Sequence, residues 1–275
     1  MIIKSAFCQS LIQKELQDFK DIPFTLHGDN RPSSEDLSLN EINIYWHSEP
    51  EEYFGNHTWI HENYNKFDMV LTWNPRDIPN AVFCPFGTSP FHDTRLDRPG
   101  PLKKDMNVSF IRGNKHFNVP GHHLRWELWE KQFKLNISIE FNATTIPEYA
   151  STIAEEIQWF TQRQHIFQDS MFHIAIENTA HDNYFTEKII DCFLFRTVPI
   201  YYGCPNINEF FNPNGIITFS TVDELIDICN NLTYDDFINR IDAVYENQIK
   251  CMEYLNLGKT IHKKLEAFFK FNGLI

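Results

Sequence analysis

The sequence is short of positive charge, although it is otherwise typical of an ordered globular protein. Its 275 residues include 24 lysines and arginines against 37 aspartates and glutamates, which gives a formal net charge of −13. A chain this acidic is a poor general binder of polyanions, because counterion release needs clustered positive charge. We therefore expect no nucleic-acid partner, and any anionic ligand must be held by a few local cations.

The sequence also lacks a long apolar run. No uncharged apolar stretch reaches the roughly 18 residues that a membrane-spanning helix needs, so no stable membrane insertion is predicted. The N-terminal residues lack the basic and apolar regions of a secretory signal, which predicts a cytoplasmic protein. A terminal helix over about Lys259–Phe271 has one apolar face and several lysines. It is interpreted as a packed surface helix, with peripheral membrane association as the alternative.

The sequence also lacks closely spaced cysteine pairs and acidic residues at the spacing typical of a metal site. None of the six cysteines falls in a C-x-x-C pair, and most stand among Phe, Ile and Leu, so buried reduced thiols are predicted. The acidic pairs Asp235-Asp236 and Glu51-Glu52 sit in no spacing typical of metal ligands and are interpreted as surface charge. No metal site is predicted.

The apolar pattern that is present divides the chain into parts. Five short apolar segments between Ile2 and Phe86, the last of them Val82–Phe86, predict strands, and a Pro- and Gly-rich segment over Asp97–Lys104 predicts a linker. Beyond it, strands and helices alternate, which predicts an α/β fold with parallel sheets. The predicted elements there include a strand over Asn136–Phe141, a helix from Thr145 to about Phe160, and a helix from a capping box at Thr221 to about Leu232. We predict one domain over residues 1–105, a second over 106–255, and a C-terminal helix over 256–275 that packs back on the body.

The most informative segment runs from Phe172 to Lys188. An apolar strand over Phe172–Ile176 leads into a polar loop and then a helix, with Thr186 as a plausible N-cap. Lys188 in the first helical turn adds a formal charge to the free amides of the helix N-terminus, which suits a phosphate group. A solvated loop between strand and helix is the alternative interpretation.

This segment resembles the donor-binding motif of the α1,3-fucosyltransferases, glycosyltransferase family 10. The matching residues are Ile176-Glu177-Asn178-Thr179 and Tyr184-Phe185-Thr186-Glu187-Lys188. The similarity continues through Val198–Gly203 and through Asn208–Pro213, where it is closest to bacterial members. The resemblance implies a GT-B fold with two Rossmann-like domains facing a cleft, the first for the acceptor and the second for GDP-fucose.

The activity that the resemblance implies is an inverting transfer of fucose from GDP-fucose to a hydroxyl of an oligosaccharide acceptor. An α1,3-type linkage and a reaction without metal or other cofactor are implied with it. Two alternatives stay open. One is the same fold using another GDP-sugar, such as GDP-mannose or GDP-rhamnose, and the other is a non-catalytic carbohydrate-binding relative.

The family motifs also nominate donor-binding residues. Arg125 and Lys188 match positions expected to hold the leaving diphosphate, where an arginine fork can grip two oxygens. Glu187 suits ribose hydroxyls, while Asn178 and Tyr184 are expected to line the nucleotide pocket. A surface helix arginine is the alternative for Arg125. Weaker candidates for the same anion-binding face are Arg112, Lys115 and His116.

The catalytic base is expected on a loop of the first domain. The family places a glutamate in a short Glu-Ser/Asn-Pro-like segment, and this chain has Ser48-Glu49-Pro50 after a predicted strand. Glu49 is the best match, although the order differs, and the substitutes are Glu51, Glu52 and His47. A solvated acidic loop is the alternative. Nearby aromatic residues that could stack on an acceptor sugar are Trp46, Tyr53 and Trp59.

Overall fold

The structure is a computed structural model that describes residues 1–5, 9–29, 31–33, 37, 41–87, 103–113, 117–144 and 164–275. The chain divides into two compact units. The first unit contains Met1–Phe86 and Asn256–Ile275, and the second contains Gly87–Leu255. The division after Phe86 comes earlier than the sequence-based boundary after residue 105. Most of the predicted linker lies outside the described residues.

The first unit is built on a five-stranded parallel sheet. Its strands are β1 (Ile2–Ser5), β2 (Phe24–Gly28), β3 (Ile42–His47), β4 (Met69–Thr72) and β5 (Ala81–Phe83), in that spatial order. The helices of its first 86 residues are α1 (Gln9–Glu15), α2 (Glu51–Phe54) and α3 (Asn56–Asn63). Strand β5 ends at Phe83, earlier than the predicted strand Val82–Phe86, and the amide of the next residue, Cys84, still donates to the carbonyl of Thr72 at 2.8 Å.

The C-terminal helix completes the core of this first unit. It runs from Leu257 to Phe271 and is numbered α10. Its apolar face joins the cluster formed by β2 and α1, with Phe269 lying 5.3 Å from Phe24 and 5.1 Å from Phe19 between ring centroids. The helix residues at 0% exposure are Leu257, Ile261, Leu265 and Phe269. The apolar spacing of the predicted helix therefore corresponds to a buried face.

The second unit contains another five-stranded parallel sheet. Its strands are β6 (Asp105–Gly113), β7 (Ile139–Thr144), β8 (Ser170–Ile176), β9 (Val198–Tyr202) and β10 (Ile217–Thr218). Its described helices are α4 (Pro120–Lys131), α5 (His165–Gln168), α6 (Glu187–Leu194), α7 (Val222–Asn231), α8 (Tyr234–Ile238) and α9 (Ile241–Cys251). Strand β7 begins later than predicted because the amide of Asn136 is bonded to the side chain of Asn230. The helix predicted from Thr145 to about Phe160 lies outside the described residues.

The strand order of the second unit marks the place where a ligand is expected. The order is β10-β9-β8-β6-β7, so the chain adds β7 on one side of β6 and then adds β8, β9 and β10 on the other side. The order of the strands therefore reverses between β6 and β8. Open parallel sheets bind ligands at such a reversal, beyond the carboxyl ends of the strands. Helix α4 follows β6 and helix α6 follows the loop after β8, so the start of α4 and the residues after Ile176 meet at this edge.

Both units are α/β with parallel sheets, as predicted. Within the described residues, no helix is both long enough and apolar enough to cross a bilayer.

Candidate active site

The segment after β8 has the strand, loop and helix that the sequence predicted. Every residue of β8 is buried, and helix α6 begins at Glu187 with Thr186 as its N-cap. Thr186 has the extended backbone of a cap, and its hydroxyl accepts from the amide of Lys188 at 3.5 Å. The N-terminus of α6 is thus brought to the carboxyl edge of the sheet, beside the reversal between β6 and β8.

Glu177 lies directly beneath that helix N-terminus. Its carboxylate is completely buried and accepts from both the amide (2.8 Å) and the hydroxyl (2.7 Å) of Thr186. The Lys188 ammonium lies 3.5 Å from Oε2 of Glu177, the oxygen that accepts from the Thr186 hydroxyl. Burial raises the pKa of Glu177 above its ordinary value. Glu177 belongs to the family motif but has no role predicted from the sequence, although a charge at the end of a buried strand is itself a signal of function.

Lys188 is enclosed by acidic and hydroxyl groups. Its Nζ donates to Glu187 at 2.8 Å and to the Thr186 hydroxyl at 3.0 Å. Burial opposes the charge on Lys188, but Glu187 and Glu177 outweigh it and raise the pKa of the ammonium. Burial likewise opposes ionisation of Glu187, and the adjacent Lys188 holds the pKa of that carboxyl below its ordinary value. Both side chains therefore carry their charges, and both keep some exposure to solvent.

Arg125 reaches the same strand end from α4. Its guanidinium donates to the carbonyl of Ile176 through Nε (3.1 Å) and Nη2, and to Oδ1 of Asn178 at 3.0 Å. Arg125 is also close enough to Lys188 to disfavour the charge on that ammonium. The structure thus brings Arg125, Asn178, Glu187 and Lys188 to one edge of the second unit, with Glu177 below them.

Close backbone packing holds α4 against this edge. The amide of Gly121 donates to the carbonyl of Asn178 at 2.9 Å. A Cβ at Gly121 would overlap the carbonyl of Glu177, and a Cβ at Gly203 would overlap the Tyr201 hydroxyl. Glycine is needed at both positions because the neighbouring segments lie too close to leave space for a side chain, and not because the backbone is left-handed.

The remaining predicted residues of this unit occupy other positions. Tyr184 is only 1% exposed, so it supports the loop from below. Arg112 is stacked between Trp126 and Trp129 of α4, with its Cζ 3.7 Å and 4.6 Å from the ring centroids. Its charge is thus held by cation–π contacts on α4. Lys115 and His116 lie outside the described residues.

In the first unit, Glu49 follows β3 in a segment anchored to the end of β2. Glu49 is 9% exposed, and the preceding Ser48 donates its amide to Asp29 Oδ1 at 3.0 Å and its hydroxyl to Asp29 Oδ2. Asp29 has a left-handed backbone with φ 48°, which aspartate tolerates better than most residues. Burial raises the pKa of Asp29 to about 6. Asp29 is a second residue that sequence reasoning missed.

The substitutes for Glu49 have structural partners of their own. Glu51 accepts from the amide (3.1 Å) and hydroxyl (2.8 Å) of Thr58 in α3. Burial opposes its ionisation, but these bonds outweigh it and lower the pKa of Glu51. His47 is completely buried, its Nδ1 lies 3.0 Å from the Thr72 hydroxyl, and burial lowers its pKa to about 3. Glu52 is exposed.

Two of the aromatic residues suggested for sugar stacking pack into cores instead. Trp46 is completely buried, so the suggestion that it stacks on an acceptor is wrong. Trp59 packs on Tyr45, with ring centroids 5.3 Å apart. The side chain of Tyr53 is outside the described part of the structure.

The thiol prediction is confirmed for the cysteines that the structure describes. Cys84, Cys192, Cys204, Cys229 and Cys251 are free and buried, whereas Cys8 lies outside the described residues. Among the described side chains, no group of three or more His, Cys, Asp or Glu is arranged to hold a metal ion. The acidic residue Asp236 instead forms a capping box with Thr233 at the start of α8.

Comparison with protein families gives one match that covers half of the chain. Residues 125–264 match the model described as "Glycosyltransferase family 10 (fucosyltransferase) C-term". Among individual proteins, the chain is 37% identical over 108 residues to an alpha-(1,3)-fucosyltransferase, FucT, of Helicobacter pylori. It is 30% identical over 117 residues to an alpha-(1,4)-fucosyltransferase of Arabidopsis thaliana. These matches cover 36% and 42% of this chain but only 22% and 28% of the two relatives.

Solved structures extend the similarity of fold over most of the chain. A crystal structure of an alpha1,3-fucosyltransferase with GDP-fucose matches with a TM-score of 0.54 at 21% identity, covering 90% of this chain and 77% of that one. A sucrose-phosphate synthase from Thermosynechococcus elongatus matches with a TM-score of 0.57 at 9% identity, covering 94% and 76%. These two solved structures have little sequence in common with this chain, yet they share with it the GT-B fold with Rossmann-like units that the sequence predicted.

Proposed function

Because this chain belongs to glycosyltransferase family 10, the fucosyltransferase family, we propose that it transfers fucose from GDP-fucose to a hydroxyl group of a glycan acceptor. The observation that carries the proposal is that two cations, Lys188 and Arg125, lie together at the carboxyl edge of β8. Both cations lie within the region that matches the family. The α1,3 type of linkage is proposed from the name of the H. pylori relative.

The second unit is proposed to bind the nucleotide sugar. Departure of GDP leaves negative charge on the diphosphate, and Lys188 and Arg125 stabilise that charge together with the amides at the start of α6. Glu187 accepts from the ribose hydroxyls and Asn178 lines the nucleotide pocket, whereas Tyr184, only 1% exposed, has too little accessible surface for a direct contact. In a chain of net charge −13, these cations provide the local attraction that the overall charge does not.

The first unit is proposed to hold the acceptor and the catalytic base. The acceptor oxygen attacks the anomeric carbon as the bond from that carbon to the diphosphate oxygen breaks, and the bonding electrons leave with GDP. Glu49 takes the proton of the acceptor hydroxyl. A single displacement of this kind inverts the anomeric centre.

The cations and amides make a metal unnecessary for charge stabilisation, so we propose that the reaction needs no metal or other cofactor. We also propose a cytoplasmic location, with peripheral membrane association as the alternative. Five buried free thiols suit a reducing compartment.

Replacing Lys188 tests the donor site. Lys188→Ala should lower turnover by at least about 100-fold, the scale observed when one charge-stabilising donor is removed. The assay offers GDP-fucose, GDP-mannose and GDP-rhamnose with a panel of glycan acceptors and detects products by mass spectrometry. Lys250→Ala, an exposed lysine on α9, is the matched control and should leave turnover unchanged. Transfer of mannose or rhamnose rather than fucose would reassign the donor, and binding without transfer would indicate a non-catalytic relative.

Replacing Glu49 tests the base. Glu49→Gln keeps the shape of the side chain and removes its basicity, so transfer should fall by about 100-fold or more while the Kd for GDP stays the same. Glu52→Gln, an exposed neighbour, is the control. A variant that loses GDP affinity and keeps its rate would show that the base lies elsewhere.

A further inference from the structure

Glu177 places a carboxylate next to groups that are proposed to bind a negatively charged diphosphate. Its carboxylate is completely buried below the proposed phosphate-binding groups, yet it bonds to Thr186 and lies 3.5 Å from Lys188. A buried carboxylate next to an anion site raises the question of how the two negative charges coexist. The inference that follows rests on the proposed function, because it concerns the binding of the same donor.

The charges of the described site balance when it is empty. Lys188 and Arg125 carry two positive charges, and Glu177 and Glu187 carry two negative charges when both are ionised. The diphosphate of a nucleotide sugar adds two more negative charges, one on each phosphate. An excess of negative charge at a partly buried site is costly, and the nearest titratable carboxyl relieves it by taking a proton.

We propose that Glu177 takes up a proton from solvent when the nucleotide sugar binds and releases it when the nucleotide leaves. Uptake converts a balanced site into one with a net positive charge that complements the diphosphate. The proton adds to a carboxylate oxygen of Glu177, and no other bond forms or breaks. Uptake at binding and release at departure keep the number of protons balanced over a full cycle.

The hydrogen bonds around Glu177 allow either protonation state. The Thr186 hydroxyl donates to Glu177 and accepts from the Nζ of Lys188, so it lies between the carboxylate and the ammonium. When Glu177 is protonated, its own O–H can donate to the Thr186 hydroxyl, and that hydroxyl can then donate to the neighbouring Glu187 carboxylate.

Among the titratable groups that face one another here, Glu177 is the one that can take up the proton. From α6 it is faced by Lys188, Glu187 and Cys192, from β9 by Tyr201, and from the following turn by Cys204. Burial raises the pKa values of Cys192, Tyr201 and Cys204, so these three groups are already neutral. Lys188 holds Glu187 ionised, whereas burial favours the protonated form of Glu177.

Calorimetry of donor binding tests the proposal on the whole chain. GDP-fucose is titrated without acceptor in two buffers of low and high ionisation enthalpy, such as PIPES and Tris, at pH values from 6 to 8. GDP-fucose is used because its phosphates do not titrate in this range, whereas the terminal phosphate of GDP does. The wild type should take up a fraction of a proton, up to one, and its Kd should rise by as much as about tenfold per pH unit where Glu177 ionises.

The variant Glu177→Gln should bind GDP-fucose without proton uptake and with a Kd that is flat over the same pH range. Glu130→Gln, on the exposed side of α4, is the matched control, because it makes the same change at a carboxyl outside the site and should retain uptake. Binding by the wild type without proton uptake, or uptake that persists in Glu177→Gln, would overturn the inference and leave the proposed function intact. A wild type that does not bind GDP-fucose would overturn both. The wild-type measurement stands alone if Glu177→Gln does not fold.

Discussion

At the scale of single residues, the acidic side chains of this protein are distinguished by their partners. Asp29 accepts from Ser48 and holds the segment that carries Glu49, whereas Glu51 accepts from Thr58 at the start of α3. Glu177 is buried below Lys188. Carboxylates of similar chemistry thus anchor a loop, stabilise a helix or face a cation, according to the donors that each one meets.

Asp29 is expected to make stability depend on pH. Its pKa in the folded protein is about 6, above its ordinary 3.8, so the folded state binds more protons between these values. The stability that this group contributes is fully present below about pH 4 and is lost as the pH rises through about 6. Asp29→Asn removes the titration, and the free energy of unfolding of the wild type relative to this variant should fall by at most about 3 kcal/mol between pH 4 and 7.

Urea unfolding at several pH values measures this difference. Taking the wild type relative to Asp29→Asn cancels the contribution of the other carboxyl groups, which titrate in both proteins. Parallel pH profiles for the two proteins would show that Asp29 does not titrate in the expected range.

The sequence alone could nominate some of these residues but could not supply their partners. Arg125, Asn178, Glu187 and Lys188 were found from a contiguous motif and one matched position, and the structure brings them together. Asp29 was missed because its link to Ser48 spans 19 residues and depends on the pairing of β2 with β3. Trp46 was suggested for sugar stacking because nothing in the local sequence shows which face of β3 is covered.

At the scale of helices and strands, the site depends on how closely α4 approaches the end of β8. Gly121 stands in the first turn of α4 and bonds to Asn178 in the loop after β8. Any side chain at this position would meet the backbone of Glu177, which has little freedom to move. The position of Arg125, one turn further along α4, therefore depends on a residue that has no side chain.

Substitution of Gly121 tests this dependence. Gly121→Ala should weaken GDP binding by about tenfold or more, because α4 must shift away from β8 and carry Arg125 with it. Gly113→Ala is the control, since a Cβ there has open space and the residue also lies at this edge of the second unit. Affinity for GDP is measured by calorimetry. Equal affinities in the two variants would show that α4 accommodates the methyl group.

Helices with clear capping or periodic signals were the ones predicted well. Helix α7 begins after Thr221, whose hydroxyl accepts from the amide of Glu224, although Glu224 bonds back to Ser220 rather than to the cap residue. The short helices α2 and α3 were not predicted, because the stretch over 51–63 is rich in His, Asn and Glu and has no apolar period. Their positions are fixed by contacts such as the bond from Asn56 to the carbonyl of Asp29.

At the scale of the whole molecule, the two units differ in how the chain builds them. The second unit uses one continuous stretch of chain, whereas the first uses residues from both ends. All the proposed donor-binding residues lie between Arg125 and Lys188, within the continuous unit. The proposed base lies in the unit that is completed by α10.

This arrangement predicts that a destabilising substitution in α10 abolishes transfer but preserves GDP binding. Leu265→Asp places a charge in the core of the first unit, where Leu265 has no exposure, and should abolish transfer through a loss of more than about 4 kcal/mol in that unit. GDP binding should persist, because the second unit keeps all of its residues. Transfer is measured by the donor assay and binding by calorimetry.

Lys263→Asp introduces the same residue on the exposed side of the same helix and should preserve both transfer and binding. Loss of GDP binding in Leu265→Asp, with Lys263→Asp unaffected, would show that the second unit does not retain its structure independently of the first.

The discontinuous first unit also has a consequence for biosynthesis. Residues emerge from the ribosome in order, and domains generally fold as units when their chain is available. The continuous unit is complete once Leu255 has emerged, but β1 to β5 still lack the helix that covers Phe24 and Phe19. The part of the first core that α10 covers must therefore stay exposed until late in synthesis, so the first unit starts to emerge before the second but is completed after it.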